Sequence, residues 1–251
     1  NKAMSTPDDA VTLIYGINHT AFDPKKHLVV SAASCTTTGL AHMIKPLLEN
    51  EETNNILTAS MSTIHAVTNT QSVLDSVPKA GEKDLRKNRS ILNNIILTST
   101  NAAKALAEVI PEVQHIGFMA DSIRVPTSTM SLIVLNATFQ ARASKQGASM
   151  AINTKMVNEI YSKAAANNPE KLIRFTMEQN VPTDLIGIDA AVIIEGQFNH
   201  TRTAFINLDL SNIPNCPAEI MKAFPEKSMK VPVVHSKIFG WYDNEFGCYT
   251  N

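Results

Sequence analysis

The chain has 251 residues, 44% of them hydrophobic and 18% charged, with a formal net charge of −1. That length can bury a substantial core, and the near-neutral balance gives no general electrostatic reason to bind nucleic acid or an anionic membrane. No apolar run approaches the ~20 residues needed to cross a bilayer, and the N-terminal stretch lacks the pattern of a signal peptide.

Taken in chain order, Val11–Ile17 and His27–Ala33 are short β-rich runs, the second leading into Ser34-Cys35. Leu40, Met43, Ile44, Leu47 and Leu48 recur at helical spacing and predict a helix over 36–50, so the first cysteine falls where a strand turns into a helix N-terminus. Ile56–Ala66 predicts a strand ending near His65, and the polar stretch 71–90 predicts a loop long enough to suspect function. A helix is expected over 99–110, stopped by Pro111. Strands follow at 114–124 and 129–140, then an amphipathic helix at 150–167, then strands at 188–195, 202–210 and 231–240. Segments 141–150 and 211–230 predict connections. Strands clustered between a few long helices favour an α+β fold with a mixed or antiparallel sheet and helices on one face.

The three cysteines, Cys35, Cys216 and Cys248, are odd in number and widely spaced, and none belongs to a C-x-x-C pair. Neither a disulfide framework nor a metal site is expected, and free thiols fit a reducing cytoplasm. None of the nine glycines forms a G-x-G or a G-x-x-x-x-G-K pattern. A dinucleotide fingerprint and a phosphate loop are therefore both missing, and a domain holding most of a nicotinamide cofactor is expected to lie outside this chain.

A cysteine at a helix N-terminus meets unpaired N–H groups and the positive end of the helix dipole, which favour thiolate and can hold an oxyanion. A buried cysteine in a small-residue turn satisfies the same sequence. His65 at a strand end can act as a general base or be structural. Asp84–Arg89 is a basic cluster that fits a solvated face as well as an anion site. Arg124, between two apolar strands, calls for a phosphate or a buried carboxylate. Thr98-Ser99-Thr100 reads as an N-cap or an anion site before the helix at Asn101. The residues alone give a cysteine enzyme acting on a phosphorylated substrate as one reading.

Together they resemble the glyceraldehyde-3-phosphate dehydrogenase family. Ser31–Gly39 is similar to its S-N-A-S-C-T-T-N-C, Thr63–Gln71 to T-x-H-A-x-T-x-x-Q, and Asp84–Arg89 to D-x-R-x-x-R. Ser99–Ala105 is similar to S-T-G-A-A-K-A, Arg124–Thr127 matches R-V-P-T, and Trp241–Gly247 matches W-Y-D-N-E-F-G throughout. The resemblance implies that the whole chain is the catalytic domain, with a nucleotide-binding Rossmann domain and a C-terminal helix outside it and the isolated fragment inactive. It implies Cys35 as nucleophile and His65 as base. Thr68 and Arg124 would hold the substrate's phosphate, and Ser34, Thr36, Arg86, Thr100 and Asn101 would bind phosphate or substrate, while Asn244 would meet the nicotinamide of NAD or NADP. The partners implied are glyceraldehyde 3-phosphate, inorganic phosphate and further copies in a tetramer. Alternatives are oxidation of another phosphorylated aldehyde such as erythrose 4-phosphate, or a non-catalytic binding role. Ala32, Thr38, Gly39, Asn101 and Cys248 depart from the family pattern, and the stretch between Phe139 and Trp241 is expected to be enlarged.

Overall fold

The computed structural model describes residues 9–141 and 152–249. Short strands β1 (Ala10–Thr12) and β2 (Val29–Ser31) pair in parallel as a separate ribbon. Both are shorter than their apolar runs: after Thr12 the chain turns, and the side-chain oxygen of Asn18 accepts from the Ile14 amide at 2.8 Å, closing that turn. From β2 the chain passes through Ala33, whose φ of 60° is the left-handed region that non-glycine residues rarely enter. That bend aims the next residues into helix α1 (Cys35–Glu49).

Ser34 caps α1, its Oγ accepting from the Thr37 amide at 3.2 Å. Leu40, Met43, Ile44 and Leu47 are wholly buried along the predicted stripe, each worth roughly 1.5–3 kcal/mol of burial. Strand β3 (Ile56–His65) follows, then a long segment with a single 3-10 turn at Leu85–Asn88, in keeping with the expected loop. A short strand β4 (Ile96–Thr98) was not expected, because three residues carry no readable period. Helix α2 covers Ala102–Val109, and a 3-10 turn at Pro111–His115 occupies what the sequence reading gave to the start of a strand. Strands β5 (Gly117–Arg124) and β6 (Ser131–Gln140) agree with expectation to within three residues.

Helix α3 (Thr154–Ala166) is capped by Asn153 and buries Val157, Ile160 and Tyr161. Strand β7 (Ile173–Thr176), the short turn α4 (Pro182–Leu185), strands β8 (Val192–Glu195) and β9 (His200–Asp209), helix α5 (Ala218–Ala223), strand β10 (Ser228–Tyr242) and the final turn α6 (Phe246–Tyr249) complete the chain. The segment 211–230, expected as a plain connection, holds α5 and the start of β10, while most of 141–150 lies outside the described residues.

Eight strands form one mixed sheet in the order β4-β5-β3-β6-β10-β8-β7, with β9 pairing the N-terminal part of β10. β3 runs parallel to β5 and β7 to β8, and the remaining pairs are antiparallel. The buried residues Ile133, Leu135, Ala137 and Phe139 of β6 and Val234, Ile238 and Tyr242 of β10 share one core with α1, α2 and α3. The α+β architecture with helices on one face is thus present. Close approach of α1 to the sheet uses glycine: a Cβ on Gly240 would lie 2.6 Å from Met43 Sδ and 2.7 Å from Val192 Cγ2. Among the described residues no helix is long and apolar enough to cross a membrane.

Candidate active site

The site lies where four segments end together. Cys35 opens α1, His65 closes β3, Arg124 closes β5, and Tyr242 closes β10. The parallel register of β3 and β5 pairs His65 with Arg124 directly. Residues 59 positions apart thereby become neighbours, with Arg124 Nη1 2.6 Å from His65 Nδ1. Cys35 Sγ lies 3.7 Å from His65 Nε2.

His65 Nδ1 is also 2.7 Å from the Ala66 carbonyl oxygen, which accepts from Arg124 Nη1 at 3.1 Å. Two tautomers compete for this geometry. When Nδ1–H donates to Ala66 O, the Nε2 lone pair faces the sulfur and can take its proton. When Nδ1 accepts from Arg124, Nε2–H faces the sulfur and can only stabilise a thiolate. Burial pushes His65 down to about 4, and the Arg124 charge adds to the fall while the bond to Ala66 O opposes it. The imidazole is therefore neutral at ordinary pH.

Cys35 differs from the expectation of a thiol lowered by the helix terminus. Burial pushes its pKa up, and this outweighs the opposing effects of the Thr36 hydroxyl and amide, the Arg124 charge and its own amide. The resting pair is thus a neutral thiol beside a neutral imidazole.

Arg124 has no carboxylate partner among the described ion pairs, and its buried Nε has no hydrogen-bond partner among the described residues. Of the two readings the sequence left open for it, the salt bridge is not found among the described residues. Arg124 lines a cavity of about 680 Å³ with Thr98, Ser99, Gln71, Lys79 and Lys87. Arg86 does not line it; that side chain is exposed and its Nε donates to Asp84 Oδ1 at 2.7 Å. The basic cluster thus contributes Lys87 to the cavity wall, the neighbour of the residue the resemblance selected, beside Lys79 from earlier in the loop. Sequence alone could not separate them, because a 3-10 turn decides which side chain faces inward.

The other expected residues are placed as follows. Ser34 Oγ is 2.8 Å from Thr37 Oγ1, in addition to its capping bond. Thr36 is buried, with its hydroxyl 2.8 Å from the Tyr242 hydroxyl. The Thr68 hydroxyl donates to Gln71 Oε1 at 3.0 Å. Thr100 Oγ1 accepts from the Ala102 amide at 3.2 Å, while Asn101, the N-cap of α2, makes no side-chain cap bond. Asn244 Oδ1 accepts from Ser131 Oγ at 3.0 Å, and Ser131 Oγ accepts from the Ala66 amide at 3.1 Å. That relay ties Asn244 to the residue after His65.

Three residues were missed. The Tyr242 hydroxyl bridges Thr36 and Thr63, at 2.8 and 2.7 Å, and its ring meets His65 edge-on at 5.9 Å. Thr63 and Ser131 complete this support. Tyr242 stood inside the W-Y-D-N-E-F-G match, and a buried tyrosine hydroxyl needs partners. The available signal was therefore its burial on a long strand.

Comparison with known proteins places the chain in a family. The family model for the glyceraldehyde 3-phosphate dehydrogenase C-terminal domain matches residues 34–213, most of the chain. Glyceraldehyde-3-phosphate dehydrogenase 1 of Streptomyces avermitilis is 31% identical over 249 residues, covering 99% of this chain and 60% of the relative. Glyceraldehyde-3-phosphate dehydrogenase 1 of Bacillus cereus is 32% identical over 97% of this chain and 59% of its own length. The glyceraldehyde-3-phosphate dehydrogenase of Chlamydia muridarum is 34% identical over 75% of this chain and 52% of its own length. The chain thus spans about 60% of the length of the first of these relatives. With a family model matching more than half of it, the chain belongs to the glyceraldehyde 3-phosphate dehydrogenase C-terminal-domain family.

Proposed function

We propose that this chain is the catalytic part of a phosphorylating aldehyde dehydrogenase acting on glyceraldehyde 3-phosphate. The observation that carries the reading is the Cys35 Sγ to His65 Nε2 contact of 3.7 Å, with Arg124 against the same imidazole. Cys35 sulfur bonds to the aldehyde carbon, its proton passing by way of His65 Nε2 to the carbonyl oxygen, which becomes the hydroxyl of a thiohemiacetal and leaves His65 neutral again. His65 then takes that hydroxyl's proton as hydride leaves the carbon, which becomes a Cys35 thioester. Inorganic phosphate attacks the thioester and expels the Cys35 thiolate, giving the acyl phosphate.

NAD or NADP, when bound, would supply the hydride acceptor. Asn244 fits it in one respect: its carboxamide oxygen accepts from Ser131, which leaves its N–H groups as the donors that would meet a nicotinamide amide. Arg124, with an unpartnered Nε, suits the substrate's phosphate, and Lys87 with Ser99 suits the second anion. A phosphate that draws Arg124 off His65 Nδ1 frees that nitrogen to donate to Ala66 O, which puts the base lone pair toward the sulfur. Substrate phosphate thereby arms the base. Self-association through the half-buried outer face of β6, where Leu132 and Val134 lie, fits the tetramer implied by the family resemblance.

The test is NADH formation from glyceraldehyde 3-phosphate, NAD and phosphate by a longer protein carrying this chain, beside erythrose 4-phosphate and Cys35→Ser. Activity lost with Cys35→Ser and favouring the three-carbon substrate supports the reading. A faster rate on erythrose 4-phosphate, or none on either with a mass-verified reactive Cys35, overturns it.

A further inference from the structure

Ser131 sits where two strands of the site end. It opens β6 as the register partner of Tyr242 in β10, and its neighbour Leu132 pairs with Ile64 of β3, the residue before His65. Alternation along β6 turns its side chain toward the helices, on the side of Ile133 and Leu135, and Ser131 is 1% exposed.

The Ser131 hydroxyl has two partners. It accepts from the Ala66 amide at 3.1 Å and gives its one proton to Asn244 Oδ1 at 3.0 Å. The peptide that joins His65 to Ala66 is thereby held at both ends: Ser131 takes its N–H, and the Val125 amide donates to its carbonyl, His65 O, at 3.1 Å. The next carbonyl, Ala66 O, meets His65 Nδ1 at 2.7 Å and Arg124 Nη1 at 3.1 Å. One buried hydroxyl thus joins the backbone that orients the imidazole to the carboxamide of Asn244. Without it a buried N–H is left unpaired, and the backbone that presents Ala66 O to Nδ1 loses one of its ties. Arg124 then takes Nδ1, and Nε2–H turns to the sulfur.

We propose that Ser131 is a positioning residue that couples Asn244 to the orientation of His65, so that engagement of Asn244 by a nicotinamide is felt at the base. The role of the nicotinamide rests on the dehydrogenase reading, whereas the link from Asn244 to His65 rests on the hydrogen bonds alone. The coupling is reciprocal, so the state of the Cys35–His65 pair is felt at Asn244 to the same extent.

The test is a double-mutant cycle with Ser131→Ala, Asn244→Ala and both together, in a longer protein carrying this chain. Its readout is the pH profile of Cys35 alkylation by iodoacetamide. The charged and titratable groups that face the thiol, His65 of β3, Arg124 of β5 and Tyr242 of β10, are unchanged throughout. Ser131→Ala should move the profile to lower pH by about half a unit, about threefold in rate below the midpoint, because Nε2–H then donates to the thiolate. In Asn244→Ala the Ser131 proton loses its acceptor and turns to the Tyr242 hydroxyl, on which Ser131 already acts. That swings its lone pair off the Ala66 amide, and the profile should move the same way, by about twofold in rate. In the double variant Asn244→Ala should add nothing. If Ser131→Ala does not fold by circular dichroism, Asn244→Ala alone decides. An unmoved profile in Asn244→Ala, which is what a serine that merely satisfies the Ala66 amide would give, overturns the proposal. So do additive shifts in the double variant, or a wild-type profile in Ser131→Ala. Alkylation needs neither NAD nor aldehyde, so a wild-type protein that forms no NADH sinks the dehydrogenase reading and leaves the cycle standing.

Discussion

Arg124 acts on the proton affinities of both Cys35 and His65. The Arg124 charge pulls the Cys35 thiol down and pushes His65 further below 6.5. Arg124→Leu therefore raises both. The thiolate fraction at a given pH falls, and alkylation of Cys35 by iodoacetamide should slow by about tenfold near pH 7.5, its profile moving to higher pH. Peptide mass spectrometry against pH measures this, with half-buried Cys216 as internal control. An unmoved profile would mean that Arg124 does not act on the thiol. Tyr242→Phe removes the hydroxyl that joins Thr36 to Thr63 and leaves two buried threonine hydroxyls without it. Urea unfolding should show a loss of about 1–3 kcal/mol. Alkylation of Cys35 should also change, because Thr36 holds the thiol down through its side chain.

At the scale of elements, the distance between α1 and the sheet sets where Cys35 sits. Gly240 permits that distance, since a side chain there would strike Met43 of α1 and Val192 of β8. Met43 can shift at its flexible end, but Val192 is wholly buried. Gly240→Val should cost about 1–3 kcal/mol of stability through overpacking, read as a lower urea midpoint. It should also slow Cys35 alkylation, by displacing the helix that carries the thiol. Gly39 acts similarly on the helix side: a Cβ there would lie 3.3 Å from the Ala191 carbonyl oxygen, a backbone atom that cannot swing away. The departure of this position from the family cysteine is thus matched by tight packing of α1 on the segment before β8.

For the whole molecule, the pH dependence of stability follows from two buried histidines. Burial pushes His42 and His65 from 6.5 down to about 4. Between those values the unfolded chain binds more protons than the folded one. Stability is therefore at its plateau above pH 6.5 and is lost as pH falls toward 4, by up to about 1.4 kcal/mol per pH unit for each histidine. Urea midpoints from pH 7.5 to 4.5 should fall accordingly, and His65→Gln should remove roughly half the slope. A flat profile would show that neither histidine is held neutral.

How much of this was legible beforehand varies by element. Helix α1 and strand β3 were read to within a residue or two, because Leu40, Met43, Ile44 and Leu47 fix a helical period and β3 is a ten-residue run. Strands β4 and β7 were missed, being three and four residues long and specified by neighbours in the sheet. The sequence by itself determined the α+β class and the family, and it singled out Cys35, His65 and Arg124 as candidates, because these depend on local period and on motifs written contiguously in the chain. Tertiary structure decided what those residues do to one another. Parallel pairing of β3 with β5 brought Arg124 onto His65, burial raised the thiol that the helix terminus was expected to lower, and a single turn put Lys87 rather than Arg86 on the wall of the cavity beside Arg124. The cause is that desolvation and the facing of side chains depend on what packs around a residue, and strand pairing between distant segments leaves no local mark in sequence.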